Sequence, residues 1–177
     1  MIRPMTQDLP SFFSSKIIIA GMAIAMPAML GSCAKPDPIA NFPESKECLE
    51  CDLQGQDFSK QDLSGATLNR AILKDSNLSG ANLSNALLDS VDLSNADLSG
   101  ADLSNAALTQ ANVTGANLSG ADLSGAFLQG TDLTGAFLDG AIFINANLSA
   151  AIIDDEILST LDTSGAILPD GTINEPQ

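Results

Sequence analysis

Cysteine, serine and carboxylate side chains are the reactive groups this sequence offers, and it contains no histidine. Cys48 and Cys51 form a C-x-x-C pair. In an oxidising compartment that spacing can close as a small-loop disulfide, here stapling the start of a repeat domain. A thioredoxin-like redox role needs a strand-helix pattern around the motif, and none is present. A zinc site needs about four ligands, which a chain without histidine or a second cysteine pair does not supply. The structural disulfide is therefore the leading reading, redox chemistry the second and metal the last. Asp154-Asp155-Glu156 gathers the hard oxygen ligands that calcium takes, in a spacing that matches no known calcium loop. Without histidine as a base, and with few and scattered lysines, the many serines are not activated nucleophiles. No enzyme activity, cofactor or resident metal is expected.

These residues sit in a chain organised around a period of five. Counting from Leu53 in steps of five, the positions read Leu53, Phe58, Leu63, Leu68, Leu73 and onward through Leu148, Ile153, Leu158 and Leu168, with Thr163 the one polar member. Alanine stands two residues before many of them, as at Ala81, Ala101, Ala121 and Ala141. Leucine and alanine thus share one side and the residue between points away, which is the alternation of a very short strand. A helix is excluded, because a period of five drifts around a helix of 3.6 residues per turn and buries no continuous stripe. After each leucine come Ser or Thr and then Gly or Asn, as in Ser79-Gly80 and Ser104-Asn105. A type II turn needs positive φ at its second central residue, which Gly and Asn tolerate best. Each five-residue unit is a short strand and a corner.

The motif A-(D/N)-L-x-x, seen in Ala81-Asn82-Leu83-Ser84-Asn85 and Ala121-Asp122-Leu123-Ser124-Gly125, resembles the pentapeptide repeat family from about Cys48 to Leu168. The resemblance implies an all-β fold, a right-handed quadrilateral parallel β-helix with four pentapeptides per coil and Leu and Ala stacked inside. With 4% aromatic residues and no Trp or Tyr, the core has to be made of Leu and Ala.

Ahead of the repeat, Arg3 and Lys16 bracket a polar start, and an uncharged apolar run extends from Ile17 to Leu30. It is shorter than the roughly 20 residues of a transmembrane helix and contains Pro27. Leu30-Gly31-Ser32-Cys33 resembles the lipobox of bacterial lipoprotein signals, which implies cleavage before Cys33 and lipidation of its thiol. A plain cleaved signal or an uncleaved anchor is the alternative. The expected organisation is a signal peptide over 1–32, a flexible tether over 33–46, the β-helix over 47–168 with a cap or loop near 154–162, and a turn and tail over 169–177. The location implied is a membrane-anchored lipoprotein facing the periplasm, or the thylakoid lumen in a cyanobacterium.

Net charge is -15, and no basic residue follows Lys74. Such a polyanion repels nucleic acid and anionic membranes, so no nucleic-acid partner is expected. If residues 20 apart stack, the outward columns alternate Asp with neutral residues, except where Asp102 meets Asp122. Phe127, Phe137, Ile142, Ile152 and Ile157 make the last coils apolar outside and are the expected partner surface, for an unidentified protein or for a second copy in a homodimer. The segment from Asp154 to Leu161 breaks the alanine position at Glu156 and is expected to be a short helix or loop that caps the end. The functional expectation is a non-catalytic, membrane-tethered acidic rod serving as an interaction or structural module of the cell envelope. The alternative is a cytoplasmic DNA-mimicking protein that binds a DNA-processing enzyme such as gyrase, as the resemblance implies for some acidic pentapeptide repeat proteins.

Overall fold

The computed structural model describes Phe42 and residues 44–175. Parallel bridges join successive outward residues 20 positions apart, from Glu47 to Thr67 and Asp52 to Ile72 through Asp132 to Ile152, with a gap after Phe137. One coil is therefore four pentapeptides, and the chain winds as a four-sided parallel β-helix. Taken in chain order, the first face carries Thr67, Leu87, Ala107 and Phe127, and the second carries Ile72, Asp92, Asn112 and Asp132. The third carries Asp57, Asn77, Asp97, Asn117 and Phe137, and the fourth Asp62, Asn82, Asp102, Asp122 and Ile142. Residues ten apart stand on opposite sides.

Stacking satisfies the backbone in both directions. Leu63 N donates to Asn82 O at 2.7 Å, and Asn82 N donates back to Gln61 O at 2.9 Å. Inside, Leu63, Leu83, Leu103 and Leu123 are essentially inaccessible, with Ala66, Ala86, Ala106 and Ala126 beside them. A leucine buried this completely contributes about 1.5–3 kcal/mol, so the ladder offsets much of the ordering cost without large aromatic rings. Polar residues in alanine positions are tolerated where a carbonyl is in reach. The Ser76 hydroxyl donates to Leu73 O at 2.6 Å and the Thr131 hydroxyl to Leu108 O at 2.7 Å.

Corner geometry is imposed by the coil and not by glycine alone. The second corner residue has positive φ at Gly80 and Gly100, but also at Lys60, Arg70, Gln110 and Ala150. Gly115 has a further reason to be glycine, since a Cβ there would lie 2.7 Å from Asn95 Oδ1.

Both described ends carry packing outside the repeat frame. At the first, Phe42 is buried and packs edge-on against Phe58, with ring centroids 5.4 Å apart. Lys46 O accepts from Thr67 N, and Lys46 Nζ lies 3.3 Å from Asp62. Among the described residues Phe42 is thus packed on the first coil, inside the segment expected to be tether over 33–46. An aromatic ring outside the five-residue frame covers the open Phe58 end, and periodicity cannot reveal such a residue. At the other end, residues 167–174 fold back as a hairpin. Ile173 pairs antiparallel with Ile167, Leu168 N donates to Thr172 O, and Asn174 Nδ2 reaches the Thr163 hydroxyl at 2.7 Å. A strand edge left bare would invite association, and this hairpin covers it.

Candidate functional site

The outward aspartates and asparagines are engaged at the corners. Asp102 Oδ1 accepts from Ser104 N and Asp122 Oδ1 from Ser124 N, each at 2.9 Å. The same contact, from the backbone two residues on, recurs at Asp52, Asp57, Asp62, Asp92, Asp97, Asp132 and Asp162. Asn77, Asn82, Asn112, Asn117 and Asn147 make it too. These are Asx turns, in which a short polar side chain takes the N–H that the bend leaves over. Asparagine adds a second bond between coils. Asn112 Nδ2 donates to Asp92 Oδ1 and Asn117 Nδ2 to Asp97 Oδ1, both at 3.1 Å. The alternation of Asp with Asn is thereby a hydrogen-bond ladder, which the Asp102–Asp122 step lacks.

Two of these carboxylates, and one in the terminal hairpin, are held below the ordinary aspartate value of 3.8 by such bonds. For Asp57 the cause is the Ser59 backbone and then its hydroxyl. Asp62 is lowered first by the Ser64 hydroxyl, with its backbone and Lys46 adding to it, and Asp170 first by the Thr172 hydroxyl. The ion pairs Lys46–Asp62 and Arg70–Glu50 lie in solvent, where screening leaves them little weight. Among the described residues no group of three or more carboxylates or thiols converges on a metal position, Asp154-Asp155-Glu156 included.

Cys48 and Cys51 occupy a leucine slot and an alanine slot of the first coil, and their sulfurs are bonded across that corner, with Cα atoms 5.4 Å apart. Both are buried at the start of the core. Cys33 lies outside the described residues, as do the signal segment and most of the expected tether.

The five apolar residues expected to form one surface are divided by the quarter-turn between successive pentapeptides. Phe127 is on the first face, Ile152 on the second, Phe137 on the third and Ile142 on the fourth. Phe127 therefore stands across the coil from Phe137. The other four gather around an interruption. Asp155–Leu158 forms a short helix, α1, with the Asp154 side chain accepting from Glu156 N as its cap at 2.8 Å. Ile157 belongs to this helix and makes no bridge to Phe137, so the expected column from Asp57 to Ile157 ends at Phe137. Beyond α1 the stack resumes, Asp162 on Ile142 and Ile167 on Asn147. The helix is thus a detour within the last coil, and the terminal hairpin covers the edge that follows.

The frame explains the detour. Residue 156 is an alanine slot, and a glutamate there would enter the core without a partner, at a cost of several kcal/mol. Residue 161, also an alanine slot, holds a leucine. The chain swings outward instead, leaving Glu156 in solvent and Ile153, Leu158 and Leu161 packed on the end of the core. Grooves open between the detour and the coil beneath it, two bordered by α1 and lined by Ile152, Ile157 and Leu133 and by Phe137, Ile157 and Glu156, and a third just beyond it lined by Ile142, Leu161 and Thr160.

A family model for pentapeptide repeats matches eight copies across residues 48–85, 76–115, 86–125 and 121–155. The chain belongs to the pentapeptide repeat family. Its members form a right-handed quadrilateral β-helix, in accord with the 20-residue coil. A pentapeptide repeat protein from the Arabidopsis thaliana thylakoid lumen is 35% identical, over 61% of this chain and 72% of that one, at a TM-score of 0.45. HetL of Nostoc sp. strain PCC 7120, involved in heterocyst differentiation regulation, is 39% identical over 72% of this chain and 65% of its own, at 0.29. QnrB1, a plasmid-mediated fluoroquinolone resistance protein, is 21% identical over 69% and 82%, at 0.41. A search of curated proteins returned no match.

Proposed function

We propose that this pentapeptide repeat protein is a non-catalytic, acidic interaction or structural module of the cell envelope, tethered through lipid on Cys33. One observation carries the non-catalytic part: each outward aspartate of the coils is committed to a corner N–H, so the abundant carboxylates maintain the fold instead of converging on a substrate. Leu30-Gly31-Ser32-Cys33 after an apolar run supports the tether. Among the described residues no helix is long and apolar enough to cross a membrane. The Cys48–Cys51 bond supports an oxidising compartment, where such a pair persists.

The test is fractionation of native cells with intact-mass analysis. The expected product is a membrane-bound chain that begins at a lipid-modified Cys33, and Cys33→Ser is expected to release it from the membrane fraction. A full-length chain in the cytoplasm with both Cys48 and Cys51 reduced would end the envelope reading and leave mimicry of nucleic acid in its place.

A further inference from the structure

The third face loses its ladder at Phe137, and what remains is an unpaired strand edge. One coil earlier, Gly115, Leu118 and Gly120 donate their N–H groups to Thr134, Phe137 and Asp139, while Ala116 O accepts from Phe137 N. The equivalent groups on the last strand are the N–H groups of Gly135, Leu138 and Gly140 and the carbonyl of Ala136. Among the described residues, none of the four has a hydrogen-bond partner. The chain swings outward at α1 instead of running along this edge, and the grooves left beneath lie end to end along it, sharing Leu138. Aligned, unpaired backbone groups on a sheet edge are a template for strand addition.

The surroundings select what can be added. Asp139, Asp154 and Glu156 line the grooves, and no basic residue follows Lys74 to neutralise them. Phe137, 62% exposed, and Ile157 stand at the middle. We propose that this edge docks an extended segment of a partner protein, apolar at its centre and basic at its ends, as a parallel strand beside residues 135–140. Its carbonyls would accept from Gly135, Leu138 and Gly140, one of its N–H groups would donate to Ala136, and its basic side chains would meet the three carboxylates. The proposal rests on the interaction-module reading and says what such a module holds.

A labelled heptapeptide alternating lysine with valine and isoleucine, titrated into the full chain by fluorescence anisotropy, tests this. Saturable binding is expected, together with slowed hydrogen exchange at the Leu138 amide and no change at Leu98. Asp155→Gly combined with Glu156→Ala restores the corner and the alanine slot, so that 154–159 can run as a regular strand and fill the edge. It is expected to weaken binding about tenfold or more. Asp139→Asn combined with Glu156→Gln alters only exposed side chains and is expected to weaken it about tenfold by removing charge. Equal binding by the same heptapeptide N-methylated at alternate, edge-facing amides, which cannot pair with a strand edge, would overturn the proposal, as would slow exchange at Leu138 in the free chain. If the peptide binds but the native chain is cytoplasmic, the envelope reading fails and the docking edge stands. The reverse outcome removes the edge alone.

Discussion

The regular coils and the last coil are built from one five-residue frame with opposite results. From Leu63 to Leu133 the inner slots hold leucine and alanine, or at Ser76, Val91, Val113 and Thr131 a side chain small enough to fit, with aspartate or asparagine at most outward positions and backbone bonds to the coils on both sides. In the last coil the frame count is unbroken, yet Glu156 and Leu161 stand in alanine slots and the chain leaves the stack as α1. A repeat is therefore held by slot identity as much as by spacing. Where identity fails, backbone donors and apolar side chains that the stack would hide are turned outward.

The strongest way to break this contrast is to move the faulty residue. Ala121→Glu puts a carboxylate into the middle of the stack, and a loss of more than about 3 kcal/mol is expected in denaturant unfolding. The converse pair, Asp155→Gly with Glu156→Ala, is expected to raise the melting temperature. Next in size is truncation of the ladder. Leu103→Ala is expected to cost about 2–5 kcal/mol, and Leu158→Ala, on the partly exposed helix, less than half as much under the same denaturant series. A similar cost at both positions would mean that the last coil is as tightly packed as the rest.

Smaller effects sharpen the comparison at the opposite end. Replacing Cys48 and Cys51 by serine removes a bond closing a very short loop, and is expected to cost about 2 kcal/mol. The loss should appear as faster hydrogen exchange at Thr67 and Ile72, which pair with the first coil, and not at Asn117. The smallest effect concerns acid. Because Asp57, Asp62 and Asp170 are lowered in the folded state, their contribution is complete above the ordinary value of 3.8 and fades as pH falls through the lowered ones. Asp57→Asn keeps the corner acceptor without the titration, so its acid unfolding curve, followed by circular dichroism, should be shallower than that of the unaltered chain.

Most of the coil was legible in the sequence because its physics is local and periodic. Leu53 to Leu148 never leave the frame, and one turn type repeats. The Asp–Asn ladder was legible as well, but its first duty was overlooked. The Asx bond, in which Asp102 accepts from Ser104 N, follows from the short acid two residues before each corner serine. Phe42 was not legible, since it packs on Phe58 from outside the frame. The division of the apolar residues followed from four pentapeptides per coil, which put Phe127 and Phe137 in different columns, but the loss of Ile157 from its column to α1 did not. Glu156 was seen as a break, but that it uncovers the Leu138 edge depends on which backbone groups lose their partners.

Photocrosslinking in the native envelope tests the central claim most directly. A photoreactive residue is placed in turn at Phe137 and at Asp97, on the same face two coils earlier. An interaction module whose contact lies at the interrupted coil should yield an adduct with an envelope protein from position 137 and none from 97. Equal adducts from both positions, or an adduct with a cytoplasmic DNA-processing enzyme, would contradict it.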